Sequence, residues 1–126
     1  PVLKGKTVVV IDDSIVRGTT ARQLAGLIYS AGAKAVHIRI SSPPVTDPCF
    51  YGMDFPSKEE LFANTHFGNV QAMAEWLRVT SLGYLTPEGL VEAATRSSGT
   101  RHSFCRACFT GVYPVPVTGQ ATGQDW

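Results

Sequence analysis

The sequence predicts an α/β fold, part of a doubly wound parallel sheet followed by a helical, cysteine-bearing extension. Three observations point there. Thr7-Val8-Val9-Val10-Ile11 is an unbroken β-branched run, a helical repeat follows it, and an alternating run from Ala35 to Ile40 follows the helix. Strand, helix and strand in about 35 residues form a βαβ unit, which pairs parallel strands across a helical crossover.

Each element has its own signal. The continuous Val/Ile run suits a strand covered on both faces, with Asp12 and Asp13 at its carboxyl end. From Thr20 onward Leu24, Leu27, Ile28 and Ala31 recur at helical spacing, and Gly32 supplies the stop. In the second strand Val36, Ile38 and Ile40 alternate with His37 and Arg39. Beyond Ser41-Ser42-Pro43-Pro44, Pro48 and Pro56 punctuate an irregular stretch that holds Cys49. Ser57 with Glu60 forms a capping box opening a short helix. Val70, Met73, Ala74 and Leu77 mark a further helix, and Thr86-Pro87 starts another through Leu90, Val91 and Ala94. Ser97 to Arg101 reads as a polar linker, and from Phe104 to Trp126 no period is visible, with the last ten or so residues expected to be disordered. The expected division is 1–56 for the sheet domain with its phosphate loop and 57–126 for the extension. Pro1-Val2-Leu3-Lys4-Gly5-Lys6 enters the first strand without an initiator methionine, so an N-terminal portion is expected to precede it.

Composition narrows the partners. The chain has 126 residues, 44% of them hydrophobic, enough for one modest core. Its formal charge is +1 with basic and acidic residues interspersed, which leaves no electrostatic footprint for nucleic acid or an anionic membrane and favours a charged small molecule. No apolar run reaches the roughly 18 residues of a membrane span, and no signal peptide opens the chain, so the expected compartment is cytoplasmic.

Val8-Val9-Val10-Ile11-Asp12-Asp13-Ser14-Ile15-Val16-Arg17-Gly18-Thr19-Thr20 carries the most chemistry. Adjacent carboxylates at a strand end suit ribose hydroxyls or a hydrated magnesium ion, which takes few protein ligands. The following turn suits an anion: Gly18 admits close backbone approach, Ser14, Thr19 and Thr20 offer hydroxyls, and the next helix adds unpaired amides and its positive end. An acidic pair before a helix also occurs in response regulators and in α/β proteins that bind nothing there. Arg17 reads either as a phosphate ligand or as an exposed loop arginine.

Cys105-Arg106-Ala107-Cys108 is a C-x-x-C pair and Cys49 is the third cysteine. A redox pair, incidental thiols and metal ligation all remain open. In the last case the fourth ligand is His102 or His66 for zinc, or a cysteine outside this sequence for an iron-sulfur cluster.

The thirteen-residue loop resembles the signature of type I phosphoribosyltransferases. Together with Arg39-Ile40-Ser41-Ser42-Pro43-Pro44-Val45-Thr46-Asp47-Pro48-Cys49-Phe50-Tyr51-Gly52-Met53-Asp54, Ser81-Leu82-Gly83-Tyr84-Leu85 and Phe104-Cys105-Arg106-Ala107-Cys108-Phe109-Thr110-Gly111-Val112-Tyr113-Pro114, it resembles the C-terminal portion of the amidophosphoribosyltransferases, in their cluster-bearing subgroup. The resemblance implies that Asp12 and Asp13 contact magnesium and the ribose hydroxyls of 5-phosphoribosyl-1-pyrophosphate (PRPP), and that Ser14, Ile15, Val16, Arg17, Gly18, Thr19 and Thr20 hold the 5-phosphate. It implies that Cys49, Cys105 and Cys108 ligate a structural [4Fe-4S] cluster. It also implies the activity: glutamine and PRPP yield phosphoribosylamine, glutamate and pyrophosphate, opening purine synthesis, in a homotetramer inhibited by purine nucleotides. The glutaminase domain with its nucleophile, the pyrophosphate loop and the lid of that family are not in this sequence, so the segment alone is expected to be inactive. Where the family usually has an acidic residue before Ser-Leu-Gly-Tyr this chain has Thr80, and Tyr84 and Ser81 read either as nucleotide contacts or as packing under a helix. A PRPP-sensing regulator has no use for the three cysteines, and a salvage phosphoribosyltransferase has no use for the long extension.

Overall fold

The computed structural model describes residues 2–99 and 104–117. Strand β1 (Thr7–Asp12), helix α1 (Thr19–Ser30) and strand β2 (Ala35–Ile40) form the expected βαβ unit. β1 pairs parallel with β2 from Thr7 opposite Ala35 to Asp12 opposite Ile40. A third strand, β3 (Ser81–Tyr84), pairs parallel with β2 from His37 opposite Ser81 to Ile40 opposite Tyr84, giving the order β1-β2-β3. The carboxyl ends of the strands therefore lie along one edge, with Asp12 at its β1 end.

Between β2 and β3 run α2 (Phe62–Thr65) and α3 (Val70–Leu77), preceded by a 3-10 turn over Lys58–Glu60 that carries both bonds of the capping box. Asn69 caps α3 by accepting from the Ala72 amide at 3.0 Å. Helix α4 (Pro87–Ser98) starts where Thr86 accepts from the Gly89 amide at 3.0 Å. It runs through Ser97 and Ser98, so the front half of the expected linker is helix; Thr100 and Arg101 lie outside the described residues, as do His102 and the tail from 118 onward. The segment after residue 104 is not wholly irregular, because Ala107–Thr110 form one further turn, α5.

One core joins these elements: Ile15, Ala21, Ala25, Val36, Ile38, Ile40, Phe62, Ala63, Met73, Ala74, Leu77 and Leu82. A boundary at residue 56 thus does not separate two cores, since β3 and the helices before it complete the β1–β2 layer. Two expectations are corrected here. β1 is not covered on both faces: Val9 is 58% and Ile11 76% exposed, and that face of the sheet continues into His37, Arg39 and Ser81. The apolar run reflects the strand's composition, while burial is given only to the face that meets α1 and α3. Helix α1 likewise turns a different face inward. Ala21 and Ala25 are buried, Leu24 and Leu27 are exposed, and only Ile28 of the predicted apolar set packs on the core. Small residues let α1 sit close to the sheet and α3, and the 21–25–28 spacing satisfies the helical period as well as 24–27–28 does. Gly32 ends α1 as predicted, in a left-handed conformation (φ +92°) with its amide donating to Tyr29 at 2.8 Å and that of Ala33 to Ile28 at 3.3 Å.

Candidate functional site: a phosphate cleft and a cysteine cluster

At the carboxyl end of β1 an open cleft of about 500 Å³ is lined by Asp12, Ser14 to Ala21 and, across from them, Asp54, Phe55 and Pro56. Every residue singled out from the loop lines it except Asp13. That carboxylate instead accepts from the Ser14 hydroxyl at 3.0 Å, while Asp12 accepts from the Asp13 amide at 2.9 Å. Ser41 fixes the end of β1 through its amide (2.9 Å) and hydroxyl (3.2 Å), both donated to the Asp12 carbonyl. Exposed carboxylate oxygens at the mouth of the cleft are the hard donors that a hydrated magnesium ion takes.

The loop has an anchored half and an open half. Ile15, although it borders the cleft, is buried in the core, so its side chain holds the turn down. Gly18 is the N-cap of α1 at φ +81°, and no side chain caps the helix. The first-turn amides are therefore left for an anion, with the Thr19 and Thr20 hydroxyls beside them. Arg17 is exposed and ion-paired with Glu60 at 3.5 Å on the rim. Hydrogen bonds from the Ser57 side chain and backbone, with a smaller contribution from Arg17, hold the Glu60 carboxyl below its usual range. The sequence reading missed Asp54, Phe55 and Pro56 as lining residues; they lie more than thirty positions from the loop, and no periodicity ties them to it.

The cysteines gather at a second place. The Cys108 carbonyl accepts from the amides of Thr46 (2.9 Å) and Asp47 (3.1 Å), which ties α5 to the loop that leads to Cys49. The Tyr113 hydroxyl donates to the Pro48 carbonyl at 2.7 Å, and its ring packs on Phe50 and Tyr51. All three thiols are free. Burial raises the Cys108 thiol pKa and a backbone hydrogen bond opposes it, while nearby Cys49, Cys105 and Asp47 add to the rise. That direction is the reverse of what an activated redox thiol needs. Among the described residues, however, no three His, Cys, Asp or Glu side chains are gathered into a metal-holding group. The thiols are thus neighbours of suitable chemistry without forming a cage, and His66, whose ring packs on Phe62 and Trp76, belongs to the core side of the molecule.

Ser81 and Tyr84 lie on opposite faces of β3. Ser81 meets His37 Nδ1 at 2.7 Å and Arg39 at 3.0 Å on the open face. Tyr84 packs against the core, its hydroxyl without a partner among the described residues and its phenol pKa raised by burial. Thr80 accepts from the Val36 amide at 3.2 Å and meets the Tyr29 hydroxyl at 3.2 Å, a structural role for a neutral side chain.

No protein-family model matches the chain. Over 116 residues, 92% of this chain, it is 51% identical to the amidophosphoribosyltransferase of Synechococcus elongatus, and over 118 residues, 94% of this chain, it is 48% identical to that of Archaeoglobus fulgidus. Over more than nine-tenths of its length the chain is thus similar to amidophosphoribosyltransferases. It spans 22% and 25% of the length of those two relatives. Among solved structures it resembles the glutamine PRPP amidotransferase of Bacillus subtilis complexed with ADP and GMP, at a TM-score of 0.82 and 43% identity over 94% of this chain and 26% of that one. A second, described as the allosteric regulatory enzyme of purine biosynthesis, has a TM-score of 0.82 and 42% identity, with 96% of this chain and 26% of that one covered. The amidophosphoribosyltransferase fold thus includes the parallel sheet and the loop at its edge. Among the described residues no helix is long and apolar enough to cross a membrane.

Proposed function

We propose that this chain is the C-terminal, PRPP-gripping part of an amidophosphoribosyltransferase, the pentosyltransferase that opens purine synthesis. In the complete enzyme ammonia from glutamine attacks C1 of PRPP, pyrophosphate leaves, and phosphoribosylamine forms. The observation that carries this reading is the loop of residues 12–20, folded at the end of β1 around the uncapped N-terminus of α1 and facing an open cleft.

The chain's own residues bind and orient. The first-turn amides of α1 and the hydroxyls of Ser14, Thr19 and Thr20 hold the 5-phosphate, with Arg17 at the rim. Asp12 and Asp13 take the ribose hydroxyls and a hydrated magnesium ion. When bound, magnesium neutralises charge on the departing pyrophosphate. Fixing the ribose at its phosphate and hydroxyls leaves C1 aimed at the incoming nucleophile, which is catalysis by orientation. Cys49, Cys105 and Cys108 would hold a structural [4Fe-4S] cluster, with its fourth ligand outside this segment; what supports this is that all three thiols are free and that the Cys108 carbonyl ties α5 to the loop leading to Cys49. Purine nucleotides act as feedback inhibitors, glutamine binds through the domain outside this segment, and the enzyme works as a cytoplasmic homotetramer.

The test is titration of the full polypeptide with PRPP, with and without magnesium. The Asp12→Asn, Asp13→Asn double variant should lose at least tenfold in magnesium-dependent affinity, about 1.4 kcal/mol or more. Unchanged affinity would remove the assignment of the loop. Iron and sulfide analysis of anaerobically prepared protein tests the cluster, and stoichiometric zinc without iron or sulfide would exclude it.

A further inference from the structure

Behind the phosphate loop lies an aromatic brace. A Cβ added at Gly18 would stand 2.8 Å from Cδ2 and 2.9 Å from Cε2 of Phe62, so the loop at its left-handed turn rests directly on that ring. The same residue also grips the loop by its backbone: the Phe62 amide donates to the Val16 carbonyl at 2.8 Å. Phe62 is itself held firmly. It is 1% exposed, with its ring 5.2 Å from that of Trp76 and 4.6 Å from that of His66. The circuit then returns to the helix that the loop starts. Arg22, whose amide donates to the Gly18 carbonyl at 2.9 Å, lays its guanidinium 4.6 Å from the centre of the Trp76 ring.

We propose that Phe62 is a positioning residue for the 5-phosphate of PRPP, its ring volume setting the curl of the Ser14–Thr20 loop and so the convergence of the amides at the start of α1. This rests on the reading of the loop as the PRPP site. The loop has three fixed points, the buried Ile15 side chain, the Val16 carbonyl held by the Phe62 amide and the contact between Gly18 and Phe62, and the residues that line the cleft lie among and just beyond them. An anion held by several donors loses affinity when they diverge, and about 0.5 Å is enough to matter. Phe62 acts through Gly18 and Val16 and touches no substrate itself.

The experiment is steady-state kinetics on the full polypeptide. Phe62→Leu should raise KM for PRPP by about tenfold while kcat stays within about twofold and KM for glutamine does not move. A merely structural role would lower the active fraction, and with it kcat, at constant KM. The pair Gly18→Ala and Gly18→Ala/Phe62→Leu gives a second readout. Loss of the ring makes room for the new methyl, so the double variant should bind PRPP more tightly than Gly18→Ala alone; strictly additive losses would overturn the proposal. Should Phe62→Leu not fold, the unbranched Phe62→Met, also without a ring, carries the same KM test. An unchanged KM in a folded Phe62 variant, beside normal PRPP binding by wild type, removes this inference and leaves the loop assignment standing. Absence of PRPP binding by wild type removes both.

Discussion

At Glu60 a single carboxylate reports on two neighbours. Its pKa is lowered first by hydrogen bonds from Ser57 and only secondarily by Arg17. A depressed folded-state value means that its contribution to stability is complete above the ordinary glutamate range and is lost as the pH falls through the lowered value. Ser57→Ala should therefore return Glu60 towards ordinary titration, whereas Arg17→Ala should shift it only slightly; carboxyl 13C NMR across the acid range reads both. Arg17→Ala also decides between the two roles that the sequence left open. The pair is exposed on both sides, so its loss should leave the melting temperature nearly unchanged. A PRPP affinity reduced beyond about fivefold, with an unchanged melting temperature, would mark Arg17 as a phosphate ligand. Most of the phosphate site was legible at this scale because its chemistry is contiguous in the chain. Asp54 and Phe62 were not, since what makes them matter is a contact across the fold.

Helices and strands were legible in existence more than in orientation. β1, α1, β2, α3 and α4 fall where periodicity and caps put them. The inward face of α1 did not, because Leu24 and Leu27 look more like core than Ala21 and Ala25, although the tight seat against the sheet admits only the small pair. Ala25→Leu should accordingly destabilise by about 1–3 kcal/mol through overpacking, and Leu27→Gln should change stability by no more than about 0.5 kcal/mol in this chain. Chemical denaturation of both variants checks the register, and the reverse ranking would put the leucines inside. β3 escaped notice since four residues with a central glycine carry no alternation to read, and α2 and α5 are single turns too short to show a period. Asn69, which accepts from the Ala72 amide at 3.0 Å, is a cap that the structure adds to the helix read from Val70, Met73, Ala74 and Leu77. Its replacement by Ala should cost about 1 kcal/mol.

For the whole molecule, the open sheet face is the dominant feature. Val9 and Ile11 stand exposed on β1 beside His37 and Arg39 on β2. An exposed apolar strand at the end of the order β1-β2-β3 is a surface on which chains associate. The 126-residue chain should sediment with a concentration-dependent mass, and Val9→Thr with Ile11→Thr should reduce that dependence without lowering the melting temperature. If sedimentation were concentration-independent, this face would not be an association surface. The stretch from Ser57 to His66 joins both ends of the molecule. Lys58 pairs with Asp47 and Asn64 donates to the Thr46 carbonyl on the cysteine side, while Glu60 meets Arg17 and the Phe62 amide meets Val16 on the phosphate side. Spaced two residues apart, with the outer pair (Lys58, Asn64) turned to the cysteine side and the inner pair (Glu60, Phe62) to the phosphate side, these four contacts work as the teeth of a key whose spacing is fixed. Surface segments between regular elements usually accept inserted or deleted residues freely. This one should not: a single deletion between Lys58 and Phe62 would put one set of contacts out of step with the other, so homologous chains should vary here in residue type while keeping the same length.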